Sequence, residues 1–364
     1  MSKKVRTAII GTGKASHMHA AILKKNERSE FVAVCSRSMQ KAKTFAASYD
    51  ITAYASITEM VSKQKVDMVI VCTPHPYHKE VTIEAINSGA HALVEKPLAA
   101  SLADCDAMIE AATKSRKTLG VIGQRRFFPA AKRCREAIDQ GKIGQPMIGT
   151  ITMLGWRDEA YYASDPWRGK WETEGGGVLV NQAPHQLDLL LWYMGSEPEE
   201  LFGIWKNINH PYIEVEDTAV AIIKFKSGGL ANILVSNSQK PGIFGKVHVH
   251  GSNGASVGVQ TEAGAMFIAG VSKMTAPPMN DLWTIPGEEG SLKKFEEEDD
   301  TFFSGIDPIF YSINEQHIDF MNAIINDHEP MINGIQGRRS VELFTAIYQS
   351  TKEGTPVRWP LSIQ

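Results

Sequence analysis

The chain predicts two domains: an α/β domain with a parallel, doubly wound sheet over residues 1–124, and an α+β domain with a large, mostly antiparallel open sheet over 125–364. Three observations carry this expectation. Up to about Gly123, short β-rich runs alternate with helical runs, and apolar strands separated by helices form right-handed βαβ units whose sheet is covered on both faces. A glycine-rich turn, Gly11-Thr12-Gly13, stands between the first β run and the first helical run. Beyond Gly123 the runs lengthen, half-alternate between apolar and polar residues, and are joined by short turns such as Lys226-Ser227-Gly228-Gly229, the pattern of an antiparallel sheet with one packed face and one open face.

In order, strands are expected at 5–10, 31–35, 66–72, 92–95 and 118–122, with helices at 39–48, 78–87 and 102–115 between them. A helix at 129–140 opens the second domain, followed by strands at 147–156, 201–208, 217–225, 230–236 and 246–251. The stretch 284–307, with Glu296-Glu297-Glu298-Asp299-Asp300 and three glycines, has no clear period and reads as a solvated acidic loop, with a mobile lid as the alternative. Residues 311–325 and 335–350 read as amphipathic helices.

Composition narrows the function classes. With 364 residues, 43% of them hydrophobic and 22% charged, the chain is long enough for two domains and too apolar for disorder. A formal net charge of -3 supplies no drive toward nucleic acid or an acidic membrane, so a small molecule is the expected partner. No apolar run approaches the roughly 18 residues of a membrane span. The first strand begins so early that no signal peptide is expected, which points to a cytoplasmic protein. Cys35, Cys72, Cys105 and Cys134 are widely spaced, without a Cys-x-x-Cys, and are expected to be reduced.

Gly11-Thr12-Gly13-Lys14-Ala15-Ser16 follows a strand and opens a helix, the context in which G-x-G-x-x-[G/A] binds a dinucleotide. Gly11 allows the tight turn and Gly13 the close approach of backbone to pyrophosphate, while the third position holds Ser16. At the end of the second strand, where an acid would take the adenosine ribose hydroxyls, stand Ser36-Arg37-Ser38. An acid there would repel a 2′-phosphate, whereas Ser36 and Arg37 can bind one, which favours NADP over NAD. Arg37 stacked on adenine is the alternative, with NAD then still used.

Downstream, Gly175-Gly176-Gly177, Asn181, His185 and Asp188 precede and open an apolar helix, and Lys96 lies in Glu95-Lys96-Pro97. Oxidising a carbinol by hydride transfer needs a base for the hydroxyl proton and a donor for the developing alkoxide. His185 suits the first role and Lys96 the second. Asp188, three residues on, is expected to orient the imidazole or hold a substrate hydroxyl. Asn181 is expected to give and accept hydrogen bonds with substrate hydroxyls. Tyr161, with its neighbours Trp156, Arg157 and Tyr162, is expected either to stack on sugar C–H surfaces or to pack in the core.

These residues resemble the glucose–fructose oxidoreductase, inositol dehydrogenase and rhizopine catabolism family, Gfo/Idh/MocA. The likeness runs through Gly11-x-Gly13 with His19, Cys72-Thr73-Pro74 with His78, Glu95-Lys96-Pro97, Gln124-Arg125-Arg126-Phe127, Trp167-Arg168-Gly169, and the glycine run through Trp192, extending to the Tyr311 region. The resemblance implies an N-terminal Rossmann domain, a second domain whose open sheet makes a homo-oligomer (dimer or tetramer), and redox chemistry on a ring carbinol of a sugar, glycoside or cyclitol. It implies that Thr73, Pro74 and His78 line the cofactor near its nicotinamide, with Glu95 and Lys96 beside that ring. Gln124, Trp167 and Arg168 join the cofactor side, and Arg125 and Tyr311 the substrate side with Asn181. Many inositol dehydrogenases of the family have Asp where this chain has Asn181, which favours a glucose-like sugar or glycoside over free myo-inositol. His75, where Asn is usual, is a smaller departure. No metal is expected, since His17, His19, His75 and His78 lack a carboxylate or Cys at ligand spacing and hydride transfer requires none. A glycosidase working through transient C3 oxidation and a non-catalytic dinucleotide sensor are the competing functions.

Overall fold

A computed structural model describes residues 4–261 and 276–361, which divide into two compact units. In the first, β1 (Val5–Ile10), β2 (Ser29–Cys35), β3 (Thr52–Tyr54), β4 (Met68–Val71), β5 (His91–Val94) and β6 (Leu119–Val121) form a parallel sheet in the order β3-β2-β1-β4-β5-β6. The order reverses between β1 and β4, and in open parallel sheets ligands bind beyond the carboxyl ends of the strands at such a switch point. Apart from β3, the strands are largely buried on both faces, so they read as apolar runs. β3 and the helix Ile57–Gln64 were not expected from the sequence; the strand has only three residues. The helix start was nonetheless signalled by Ser56-x-x-Glu59, since Ser56 accepts the Glu59 N–H at 3.2 Å.

The segment 310–338 belongs to this first unit, although the sequence boundary had placed it in the second domain. Its chemistry explains the assignment. Phe320 and Met321 enter the core that holds Ile9, Ile70, Leu93 and Ile122. Gln316 accepts the Gly123 N–H at 3.0 Å and donates to the Val121 carbonyl at 2.7 Å, helping to cover the edge of β6. A Cβ on Gly120 would lie 2.8 Å from the Phe320 ring, so glycine leaves room for it.

In the second unit, β7 (Pro146–Trp156), β8 (Pro198–Lys206), β9 (Thr218–Phe225), β10 (Leu230–Ser236), β11 (Ser238–Gly251), β12 (Ser256–Gln260), β13 (Met279–Trp283) and β14 (Val357–Arg358) form one sheet, ordered β13-β12-β11-β7-β10-β9-β8-β14. Every neighbouring pair is antiparallel except β7 with β10. One face packs on the helix Pro184–Met194, so closely at β7 that a Cβ on Gly149 would lie 2.5 Å from Leu190. The other face exposes Ile204, Val220, Ile222 and Leu234.

The acidic stretch that read as a loop or lid is largely the helix Ser291–Phe302. Asp299 turns inward to pair with Arg133, whose guanidinium also lies 4.6 Å from the Phe295 ring centre. One carboxylate of that run is thus buried by a partner far away in sequence, which no local period reveals.

Phe320 is 1% exposed, and truncating a buried Phe removes its burial and leaves a cavity. Phe320→Ala should destabilise the first unit by about 3 to 5 kcal/mol, read as a lowered denaturant midpoint of the transition reported by that unit. A change within experimental error would show that segment 310–338 contributes nothing to that core.

Candidate active site

In the first unit the glycine turn has the shape a pyrophosphate requires. Gly11 has φ +114°, and a Cβ there would lie 2.8 Å from the Cys72 carbonyl oxygen, so no other residue fits. Gly13 caps the helix Lys14–Lys25, and a Cβ on it would meet nothing within 4 Å among the described residues. That open space adjoins the start of a helix, where an anion is favoured. Thr12 is half-buried beside it. Ser16, fully buried, accepts the Gly13 N–H at 3.1 Å and braces the turn instead of facing a ligand. The Thr73 hydroxyl is a buried polar atom without a partner among the described residues, a group suited to a ligand donor or acceptor. These features fit a dinucleotide.

At the end of β2, Ser38 caps the next helix by accepting the Lys41 N–H at 3.3 Å, and Ser36 accepts the Ser38 N–H at 3.4 Å. The Arg37 guanidinium lies 4.6 Å from the ring centre of Tyr77, which is exposed. Tyr77 was not singled out in the sequence, and nothing local signals it because it comes from the turn after β4.

Glu95, directly after β5, is held from two sides. His19 Nε2 contacts its Oε1 at 2.8 Å, and its Oε2 accepts the Lys96 N–H at 3.1 Å. Burial acts to raise its pKa, but the His19 hydrogen bond and charge, with Lys96, outweigh it and hold the carboxyl below its usual range. His19 contacts His317 Nε2 at 2.9 Å through its other nitrogen, and burial keeps His317 well below the usual imidazole range. Lys96 itself is half-buried, as is Pro74. His78 departs from its expected place along the cofactor. It is fully buried, its Nδ1 lying 3.0 Å from the Pro97 carbonyl and its Nε2 2.9 Å from that of Thr73. It ties the Glu95-Lys96-Pro97 loop to the Thr73-Pro74 turn. Tyr311 is half-buried in the helix Pro308–Asn326 and counts with this unit.

In the second unit the glycine run is a packing device. Cβ atoms on Gly176 and Gly177 would lie 2.1 Å from the Tyr348 hydroxyl and 1.8 Å from the Glu216 carbonyl oxygen. Glu216, fully buried, accepts the N–H groups of Gly177 at 2.8 Å and Leu179 at 2.9 Å, and the Tyr348 hydroxyl donates to it at 2.9 Å. Burial pushes its carboxyl up to about 7, against the lowering effect of those donors. Glu216 was not singled out in the sequence; the signal was an acidic pair, Glu216-Asp217, at the start of an otherwise apolar strand.

Asn181 ends the short helix Val178–Asn181 that this carboxylate caps, and His185 follows in the first turn of the helix Pro184–Met194. That helix is buried apart from His185 and Trp192. Asn181 donates to Glu174 at 2.5 Å and to the Tyr161 hydroxyl at 3.3 Å. Tyr161 also receives Arg168 at 2.5 Å and Gln182 at 3.0 Å. The guanidiniums of Arg168 and Arg157 lie over its ring, 4.3 and 5.1 Å from the centre, so the ring is a buried hub and not a stacking platform for sugar. Trp167 stacks on Arg168 at 4.4 Å.

Asp188 does not orient His185. Both of its oxygens take Arg126, Nε at 2.8 Å and Nη2 at 2.6 Å, in a buried bidentate pair. A buried guanidinium needs such a partner, and the planar fork matches a carboxylate. Arg125, 5% exposed, donates to Thr261 at 2.8 Å and so is anchored inside the unit instead of presented to substrate. Gln124 is buried in the same turn. The structure thus gathers Tyr161, Trp167, Arg168 and Asn181 into one network and leaves Asp188 and Arg125 to packing.

A switch-point dinucleotide turn in one unit and a partly open imidazole on a buried helix in the other define a nicotinamide-binding oxidoreductase. Residues 5–122 match the oxidoreductase family with an NAD-binding Rossmann fold, and residues 131–257 match the GFO/IDH/MocA C-terminal domain, so the chain belongs to the Gfo/Idh/MocA family. It is 31% identical to a myo-inositol 2-dehydrogenase of Thermotoga maritima over 69% of this chain and 74% of that one. It is 26% identical to a D-glucoside 3-dehydrogenase of Escherichia coli, over 98% of each. Among solved structures it resembles the WlbA dehydrogenase from Bordetella pertussis in complex with NADH and UDP-GlcNAcA, with a TM-score of 0.85, 26% identity, and coverage of 100% of this chain and 99% of that one.

A carboxyl raised from 4.5 to about 7 stabilises the fold fully below its unfolded value and loses that contribution as pH rises through its folded value. The unfolding midpoint should therefore fall between about pH 5 and pH 8, and Glu216→Gln should flatten that fall. Equal slopes for the two proteins in a pH series of thermal melts would remove Glu216 as the titrating group.

Proposed function

We propose that the chain oxidises or reduces a ring carbinol of a glucose-like sugar or glycoside, using NAD or NADP, with Lys96 and His185 as its proton-handling residues. The observation that carries this reading is His185: an imidazole left partly exposed in the first turn of an otherwise buried helix, fixed by the glycine turn that Glu216 holds. When bound, the nicotinamide supplies the two-electron hydride acceptor. The carbinol C–H leaves as hydride and its O–H proton passes to the protein, giving a ketone, reduced cofactor and one proton. His185 takes that proton, while the Lys96 ammonium donates a hydrogen bond to the oxygen as alkoxide character develops. Gly11, Thr12 and Gly13 hold the pyrophosphate, with Thr73 and Pro74 nearer the nicotinamide. Arg37, presented on Tyr77 without a neighbouring acid in Ser36-Arg37-Ser38, supports use of NADP.

The test is reduced-nicotinamide absorbance with each cofactor across free hexoses, methyl glucosides, inositols and UDP-N-acetylglucosaminuronate. A glucoside should be turned over in preference to myo-inositol, and with NADP in preference to NAD. Lys96→Ala should still bind cofactor but lose about 100-fold or more in turnover. Wild-type turnover in that variant would remove Lys96 from the mechanism. Glycoside cleavage without accumulation of reduced cofactor would instead establish the transient-oxidation glycosidase.

The open face of the second unit supports self-association. Ile204, Val220 and Leu234 lie in one cross-strand row, and Ile222, 60% exposed, lies in the next. A continuous exposed apolar face of this kind marks an interface, here with a second copy. Ile222→Asp should yield a smaller species in sedimentation than the wild type, and an unchanged mass would refute this interface.

A further inference from the structure

We propose that His317 and His19 are positioning residues for Glu95 and Lys96: the two imidazoles form a buried hydrogen-bonded chain that fixes the Glu95 carboxylate and keeps its charge beside the lysine. This rests on the reading of Lys96 as the residue that meets the developing alkoxide. The chain lies wholly within the first unit. His19 sits in the helix that the glycine turn opens, Glu95 directly follows β5, and His317 comes from the helix Pro308–Asn326.

An ionised carboxylate only accepts, so the 2.8 Å contact of His19 Nε2 with Glu95 Oε1 requires a hydrogen on that nitrogen. The other oxygen takes the Lys96 N–H at 3.1 Å, which ties the carboxylate to the backbone of the lysine. Inward, His19 Nδ1 and His317 Nε2 lie 2.9 Å apart and share one hydrogen. Whichever ring carries it, His317 stays neutral, because burial holds it well below the usual imidazole range. The chain thus has a neutral inner end and an anionic outer end.

The inner ring is placed for His19. His317 Nδ1 is buried without a hydrogen-bond partner, so among the described residues His19 is the polar side chain that holds the ring. A buried imidazole with one hydrogen bond is a costly way to fill a core. Phe320 and Met321, three and four residues on and so on the same helix face, show the apolar filling that this core takes. What the imidazole adds at position 317 is the nitrogen it turns toward His19.

Glu95 depends on that support, since its own burial opposes its charge. The titratable groups facing it are His19, Lys96, Cys72 and His78. Burial keeps the Cys72 thiol protonated and disfavours the charged form of His78, so compensation falls to His19 and Lys96. A carboxylate fixed beside a lysine favours the ammonium form, which is the form that donates to an alkoxide.

The experiment uses the full chain with His19→Leu, with His317→Met, which removes the nitrogen, and with His317→Gln, whose amide can still donate to His19 or accept from it. Carbon NMR of protein labelled at the glutamate carboxyl carbon, with Glu95 assigned through Glu95→Gln, reads its ionisation without any turnover. In the wild type Glu95 should be half protonated only below pH 4.5. In His19→Leu and His317→Met it should titrate at a pH about one unit or more higher, and in His317→Gln close to the wild type. An unmoved Glu95 titration in His317→Met would overturn the proposal. In kinetics with methyl β-D-glucopyranoside and NADP, His317→Met should lower kcat about tenfold with the KM for NADP unchanged, and His317→Gln should recover most of that loss. The acid limb of kcat/KM should move upward in His317→Met together with the Glu95 titration, because a protonated Glu95 no longer supports Lys96. A lowered thermal midpoint with an unmoved titration and pH profile would make His317 a packing residue and overturn its positioning role. If the wild-type chain oxidises no sugar, the functional reading fails, and the Glu95 titration still decides whether the imidazole chain holds the carboxylate.

Discussion

Two backbone N–H groups and one phenol converge on the buried Glu216 carboxyl, and the placing of Asn181 and His185 follows from that convergence. The turn through Gly175, Gly176 and Gly177 presses its backbone against Glu216 and Tyr348, at distances that a side chain on Gly176 or Gly177 would violate. Four-residue helices have little stability of their own, because nucleation fixes several residues for few hydrogen bonds. The helix Val178–Asn181 exists because Glu216 satisfies its first donors from across the unit. A functional glycine run here binds its own protein, and what it presents is the amide and imidazole further along.

The two units use carboxylates in opposite ways. Glu95 remains ionised because His19 and Lys96 compensate its burial, so it carries charge next to the lysine that the proposed chemistry uses. Glu216 goes the other way, its burial outweighing three donors and raising it to about 7. Asp188 is matched by a bidentate guanidinium and is removed from chemistry altogether. Identical functional groups thus acquire different roles from their surroundings, which is how local environment assigns acid, base and scaffold.

Much of the fold was legible because its signals are local. The apolar strands of the parallel sheet, the glycine turn after β1 and the helices His78–Asn87 and Leu102–Ser115 each announce themselves within a dozen or so residues. β3 was too short to show a period, and Asp299 is buried by Arg133, from a distant part of the chain. At the site, residue type pointed to Lys96, His185 and the glycines, but partner choice was illegible. Three-residue spacing made Asp188 a natural companion for His185, yet Arg126 claims both of its oxygens. Tyr161 reads equally as a sugar platform or as a packed ring, and its burial under two guanidiniums makes it the second. Helical periodicity shows which residues share a face; it does not show which long-range partner reaches that face first.

That distinction bears on how an amide came to stand four residues before the imidazole. The family resemblance alone makes Asn181 the neutral replacement for an acid, with a less charged site as the consequence. The structure reverses the emphasis, because a buried acid is still present one hydrogen bond away, at Glu174. An amide is the side chain that can satisfy that acid, since its nitrogen donates where a carboxylate could only accept. Asp would repel Glu174, and an apolar residue would leave its Oε1 without the Asn181 donor, a loss that is severe for a buried charged group. The amide at position 181 therefore answers a demand from inside the protein, because the buried carboxylate beside it accepts and cannot donate.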